Sequence, residues 1–282
     1  MDHKKLKSEN TKLVIAISSR ALFNLDQSHK IFKEEGIEAY AKHQQENEQV
    51  ILEPGVGFTL VKKLLKLNSK KTPIDVILLS RNSADTGLRI FNSIEHYDLN
   101  ISRAAFTRGE STHPFVGAFE ADLFLSSNYN DVQKALQSGY AAASIVESKS
   151  NNSHPSQLRI AFDGDAVIFS DEAERIFQEK GLEAFHENEI LSEKIELKAG
   201  PFKSFLVSLQ KIQSTFPEED NPIRTALVTA RSAPSHRRVI HTMREWGIRI
   251  DESFFLGGLE KGVFLRQFAA DIFFDDQQQH CE

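Results

Sequence analysis

A single cysteine, Cys281, in a chain of 282 residues excludes an internal disulfide and any cysteine-based zinc site. That scarcity fits a reducing compartment. No apolar run approaches the ~20 residues that a helix needs to cross a bilayer, so no membrane partner is expected. The opening Met1-Asp-His-Lys-Lys-Leu-Lys-Ser-Glu-Asn carries charge with no apolar stretch behind it, unlike a secretory signal, and the expected location is cytoplasmic. An excess of positive charge is missing too, since 34 Lys and Arg face 40 Asp and Glu for a net −6. Binding along a nucleic-acid polymer draws on many basic contacts, so no such partner is expected. A small phosphorylated ligand held at one local site is compatible with this charge. What remains is a soluble globular composition, 40% hydrophobic and 26% charged, long enough for two domains of ordinary size.

The stretch around which the chain is organised is Leu158-Arg-Ile-Ala-Phe-Asp163-Gly-Asp165-Ala-Val-Ile-Phe-Ser-Asp171. Leu158, Ile160 and Phe162 alternate with Arg159 and Ala161, which reads as a buried strand bringing two carboxylates to its C-terminal tip. Ligands of α/β sheets bind at that end of the strands. A carboxylate there serves as nucleophile, metal ligand or general acid, and the bland alternative is a plain Asp-Gly-Asp turn.

An internal repeat decides between them. Ile15 to Tyr40 matches Ile160 to Phe185 without a gap at an offset of 145 residues, with ten of 26 positions identical. At a slightly larger offset, Ile77-Leu-Leu-Ser80-Arg-Asn-Ser83-Ala84 pairs with Ala226-Leu-Val-Thr229-Ala-Arg231-Ser232-Ala233. Ala121-Asp-Leu-Phe-Leu-Ser126-Ser127 pairs with Ala270-Asp-Ile-Phe-Phe-Asp275-Asp276. Each half reads strand, helix, helix, strand, helix, strand, strand, which predicts an α/β fold with two duplicated parallel-sheet, Rossmann-like halves. The halves are residues 1–150 and 151–282, joined by the polar stretch Glu147-Ser-Lys-Ser-Asn-Asn-Ser-His-Pro-Ser-Gln.

The two copies differ where chemistry would lie. Ser18 stands in place of Asp163, Arg20 in place of Asp165, and Ser126 and Ser127 in place of Asp275 and Asp276. Acids that vanish together while the apolar pattern survives form one functional set, so the second half carries the chemistry and the first is catalytically degenerate. Two Asp pairs at strand tips repel unless a cation neutralises them, and oxygen-only ligands suit Mg²⁺. Thr229 ends another apolar strand, and its hydroxyl with the backbone N–H groups of the loop from Ala230 suits phosphoryl oxygens. Arg231 is a phosphate clamp or a solvated loop arginine. Lys261, after Gly257-Gly-Leu-Glu, neutralises phosphate or is a surface lysine.

Taken together, these residues resemble the haloacid dehalogenase superfamily, whose four motifs are matched in order by Asp163-Gly-Asp165-Ala-Val, Thr229, Lys261 and Phe274-Asp275-Asp276. Ala161-Phe-Asp-Gly-Asp-Ala-Val-Ile-Phe-Ser-Asp-Glu, Leu227-Val-Thr-Ala-Arg-Ser-Ala and Phe273-Phe-Asp-Asp-Gln are closer still to one branch, the cytosolic type I 5′-nucleotidase family. So are Ile17-Ser-Ser-Arg-Ala-Leu-Phe23 and Phe106-Thr-Arg-Gly-Glu-Ser111 in the first half. Two departures stand out. Asn24 occupies a position where an Asp is common, and the sequence ends at Glu282 where family members continue, so a truncated chain is expected.

The resemblance implies an Mg²⁺-dependent nucleotidase acting on nucleoside 5′-monophosphates. It assigns Asp163 as nucleophile and Asp165 as general acid and base. The metal would sit on Asp163, the backbone carbonyl of Asp165, and Asp275, supported by Asp276. Thr229, Ala230, Arg231 and Lys261 would hold the phosphoryl group. A phosphatase of another small phosphate ester and a nucleotide-binding regulatory protein without turnover stay open, as does a homo-oligomer. For the nucleoside, Phe169, Phe185, His186 and Phe202 are candidates to stack on the base, though a residue of this kind is more often core. Ser18, Arg20, Arg108 and Ser111 of the first half are expected to line the substrate pocket or an effector site.

Overall fold

A computed structural model of the chain describes residues 12–68, 73–145, 154 and 156–276. Of the polar connection between the halves only 154, 156 and 157 fall within these residues, and Cys281 lies outside them. In the first half, β1 (Leu13–Ser18) runs into a one-turn helix, α1 (Ser19–Leu22), then α2 (Asp26–Glu35), α3 (Ile37–Glu46) and α4 (Phe58–Leu67). β2 (Ile74–Ser80), α5 (Leu88–His96), β3 (Arg103–Phe106) and α6 (Pro114–Ala118) follow. β4 (Leu123–Ser126), α7 (Tyr129–Gln137) and β5 (Ala142–Ser144) complete it. The second half runs β6 (Leu158–Phe162), α8 (Glu172–Leu191), α9 (Lys203–Gln213) and β7 (Ile223–Thr229). It continues with α10 (His236–Glu245), β8 (Glu252–Phe255), α11 (Lys261–Phe268) and β9 (Ile272–Phe274).

The strands form two sheets, ordered β3-β2-β1-β4-β5 and β8-β7-β6-β9, with every pair parallel. Laid on one another, the shared four strands have the same order, as a duplicated α/β fold requires. The halves agree in backbone detail as well. Gly36, with φ +89°, separates α2 from α3, and its counterpart Gly181, with φ +81°, bends α8 at the same place. Left-handed backbone here favours glycine, and both copies keep it.

Alternation along β1 sorts its side chains onto two faces. Leu13, Ile15 and Ile17 enter one core, while Val14 and Ala16 enter another with Val116, Val132 and Ala135 from α6 and α7. In β6, Leu158, Ile160 and Phe162 share the first core, and Ala161 packs towards Phe268 of α11. One core therefore joins the inner faces of both sheets.

The helices α4 and α9 fill it. The two helices that the sequence pattern indicates after each first strand are α8 and α9 in the second half, while the first half divides the same stretch into α1 to α4. Helices α4 and α9 are equivalent in the repeat. Phe58, Val61 and Leu64 of α4 and Phe205, Leu206, Leu209 and Ile212 of α9 are buried at helical spacing. α4 packs on β2 of its own sheet and on β6 of the other, and α9 reaches β1. Each half thus lends a helix to the sheet of its partner copy. Among the described residues no helix is long and apolar enough to cross a membrane.

Candidate active site

The C-terminal ends of β6, β7 and β9 bring the second-half residues together. β6 delivers Asp163, whose backbone N–H donates to Phe274 O at 2.8 Å and whose side chain accepts from Gly164 N at 2.7 Å. β9 ends at Phe274 and hands on Asp275 and Asp276. Asp163, Asp275 and Asp276 each place a carboxylate oxygen within 4.8 Å of the others. Lys261, at the start of α11, lies between two of them, 2.9 Å from Asp163 and 2.7 Å from Asp275.

Lys261 is 6% exposed and Asp163 7%, so the pair sits in a weakly screening environment. Burial pushes the Asp163 carboxyl up to about 7, against the pull of the Lys261 charge, and the Asp275 charge adds to the rise. Burial and the neighbouring Glu174 and Asp275 charges raise Asp276 to about 6. Burial works against the Lys261 ammonium, but Asp163 and Asp275 hold its pKa above the ordinary lysine value. The ensemble is short of positive charge, and its carboxylates converge.

Thr229 closes β7, 1% exposed, and its Oγ1 accepts from Arg231 N at 3.3 Å. A Cβ built on Gly164 would meet that Oγ1 at 3.1 Å. The Asp163-Gly164 turn and the Thr229 hydroxyl are therefore in close approach, and the glycine permits it. Ala230 is exposed beside them at the head of the loop.

Asp165 and Arg231 form a pair that the sequence pattern did not indicate. Two guanidinium nitrogens of Arg231 donate to the two oxygens of Asp165 at 2.8 and 2.7 Å, and a third donates to Glu189 of α8. Arg238 donates to the other Glu189 oxygen at 2.8 Å. Arg231, 4% exposed, is thus neither a solvated loop arginine nor a free clamp in this state. The Asp165 carboxylate points to it and stands apart from the three-acid cluster.

Two of the four stacking candidates belong to the core. Phe169 is fully buried, 5.6 Å from the Trp246 ring, and Phe202 packs 4.8 Å from Phe274. Both are tied to the bridges and turns that follow β6, where apolar burial outweighs access. Phe185 is buried under the Arg231 guanidinium at 5.4 Å, and His186 is half-buried beside it. Phe177 on α8, 48% exposed, is the repeat counterpart of Phe32, which lines a cavity in the first half. Of the first-half residues, Ser18, Arg20 and Arg108 line the cavity, whereas Ser111 is turned onto Asp131.

The model of a protein family described as 5′-nucleotidase matches residues 5–282. Human cytosolic 5′-nucleotidase 1B is 40% identical to the chain over 284 aligned positions, covering 96% of this chain and 47% of that protein. The chain spans about half the length of this curated relative. No solved structure matches it.

Proposed function

Because the chain belongs to the 5′-nucleotidase family, we propose that it hydrolyses nucleoside 5′-monophosphates to nucleoside and phosphate at the tip of β6. The observation that carries this reading is the convergence of Asp163, Asp275 and Asp276, with Lys261 paired to the first two. Carboxylates so close repel unless a cation shares them, and an all-oxygen donor set fits a small hard dication such as Mg²⁺. Asp163, Asp275 and Asp276, with the backbone carbonyl of Asp165, would hold it. When bound, Mg²⁺ supplies positive charge that offsets a phosphate dianion approaching a carboxylate.

The reaction follows from the side chains. Asp163 attacks phosphorus as the bond to O5′ breaks, giving an aspartyl phosphate and dividing one displacement into two. Asp165 gives its proton to the departing O5′ and then takes one from the water that hydrolyses the intermediate. Thr229, the Ala230 N–H and Lys261 receive the transferring oxygens, and Lys261 exchanges carboxylate partners for phosphate. In the structure Arg231 holds Asp165 as a carboxylate through two hydrogen bonds, and Glu189 fixes Arg231. One of the two bonds gives way when Asp165 takes up from solvent the proton that it passes to O5′. In this reading residues 151–282 are the catalytic half and residues 1–150 the degenerate one.

The test is phosphate release from nucleoside 5′-monophosphates, deoxynucleotides and sugar phosphates, with Mg²⁺ and with chelator, beside Asp163→Asn. Mg²⁺-dependent release from nucleotides that the substitution abolishes is expected. Release from other esters alone would keep the mechanism and overturn the substrate. No release from any of them would leave a nucleotide-binding protein.

A further inference from the structure

A cavity of about 680 Å³ lies not at the acid cluster but at the strand tips of the first half. All of its lining residues lie between Ser18 and Asp131. It is the repeat counterpart of the candidate active site, with Ser18, Arg20, Ser126 and Ser127 replacing four acids. Thr112 stands where Lys261 stands. A dication site has become a set of hydroxyl, amide and guanidinium groups. Such donors suit an anion bound with no metal between.

Three observations show that these donors are available. Arg20 makes one long contact, 3.3 Å to Asp26, whose side chain is 80% exposed. Arg108 has no side-chain partner among the described residues. It occupies the repeat position of Gly257 and keeps the same left-handed backbone, φ +50° against +59°. A non-glycine residue there costs conformational energy, so the first copy carries a guanidinium at a strained position. Asn82 Nδ2 is buried on the lining beside Tyr40, with no hydrogen bond of good geometry among the described residues.

The negative groups of the lining are largely spoken for. Burial pushes the Asp131 carboxyl up, but hydrogen bonds from Arg81 and Ser111 and the Arg81 charge hold it below the usual carboxylate range. Asp85 accepts from Gln45 at 2.9 Å, and Glu38 lies exposed on α3. Opposite the polar tips the wall turns apolar. Phe32 is 46% exposed and Ile37 58%, with Tyr40 set edge-on to Phe32 at 6.0 Å between ring centroids. A flat ring seated there leaves room for a charged group at the tips, and the volume suits one small molecule.

We propose that the first half binds, without metal, a phosphate ester carrying a flat aromatic ring, the class to which nucleotides belong. The phosphate meets Arg20, Arg108 and Asn82, and the ring lies against Phe32 and Tyr40. The site does not depend on turnover in the second half.

Equilibrium dialysis of AMP against the full chain in excess chelator tests this. One molecule per chain is expected to bind to wild type and to Asp163→Asn alike. Arg20→Ala and Arg108→Ala, both at exposed positions that folding tolerates, should each weaken binding roughly tenfold or more, as the loss of a charge-assisted hydrogen bond does. Phe32→Ala should weaken AMP but not inorganic phosphate. Absence of binding in chelator would overturn the proposal. So would binding that survives the two arginine substitutions combined, or that is lost in Lys261→Ala, which would place the ligand in the second half. Failure of the nucleotidase reading is read separately, as absence of phosphate release with Mg²⁺.

Discussion

Lys63 and Ser208 occupy equivalent positions on α4 and α9, and each crosses to an equivalent aspartate of the other half. Lys63 Nζ lies 2.5 Å from Asp271 Oδ1, and Ser208 Oγ donates to Asp122 Oδ1 at 2.8 Å. Each aspartate spends its other oxygen on the N–H at the start of the central strand, Val14 for Asp122 and Arg159 for Asp271. The two contacts are one device used twice. In one copy the donor is a charged lysine, in the other a neutral hydroxyl.

Lys63 is 7% exposed, so its removal leaves Asp271 without its buried counter-charge. Lys63→Met is expected to cost about 3 kcal/mol, and Ser208→Ala about 1 kcal/mol. For a chain of this size the first lowers Tm by roughly 6 °C and the second by roughly 2 °C. Thermal unfolding followed by circular dichroism measures both, and equal shifts would contradict the difference in charge.

Burial sets a pH dependence at Asp163. Its folded pKa of about 7 lies above the ordinary 3.8, so the folded state holds a proton that the unfolded state has released. The metal-free protein should therefore lose stability as pH rises from about 4 to about 7. Mg²⁺ needs the carboxylate, so its affinity should fall as pH drops below about 7, approaching tenfold per pH unit. Calorimetric Mg²⁺ titrations at pH 6 and pH 8 decide this, and affinity independent of pH would refute it.

Arg231 is expected to act through Asp165. Lysine cannot supply a bidentate fork, so Arg231→Lys should lower kcat about tenfold or more while KM changes little. The pH–rate profile should shift with it, because the proton-transferring carboxyl has lost its partner. A purely structural arginine would lower Tm and leave the profile in place.

Phe177 is the repeat counterpart of the cavity-lining Phe32 and is expected to cover the nucleoside in the second half. Phe177→Ala should raise KM for nucleotides several-fold with kcat nearly unchanged, the pattern of lost uniform binding. Steady-state kinetics with a nucleotide and with a small phosphate ester lacking a ring separates the effects. An equal loss on both would remove the assignment.

The repeat made much of this legible. Ten shared residues over 26 positions aligned β1 with β6 and brought out the acids of one copy against the serines of the other. That α4 and α9 reach the opposite sheet escaped, because an apolar stripe shows that a face is buried, not that it is buried against a second sheet. The pairing of Asp165 with Arg231 spans 66 residues, and a loop arginine bears no mark of its eventual partner. Phe169 and Phe202 were open to either reading because an aromatic near a site and one in the core have the same local pattern. Only the packing against Trp246 and Phe274 separates them.

The exchange of α4 and α9 governs how the molecule assembles. As the chain leaves the ribosome, β1 emerges with an apolar face whose cover, α9, ends at Gln213. Until α9 docks, Ile15 and Ile17 lack contacts from residues far along the chain. A half tied in this way cannot be shed without cost, because α4 completes the cover that α9 begins on β6.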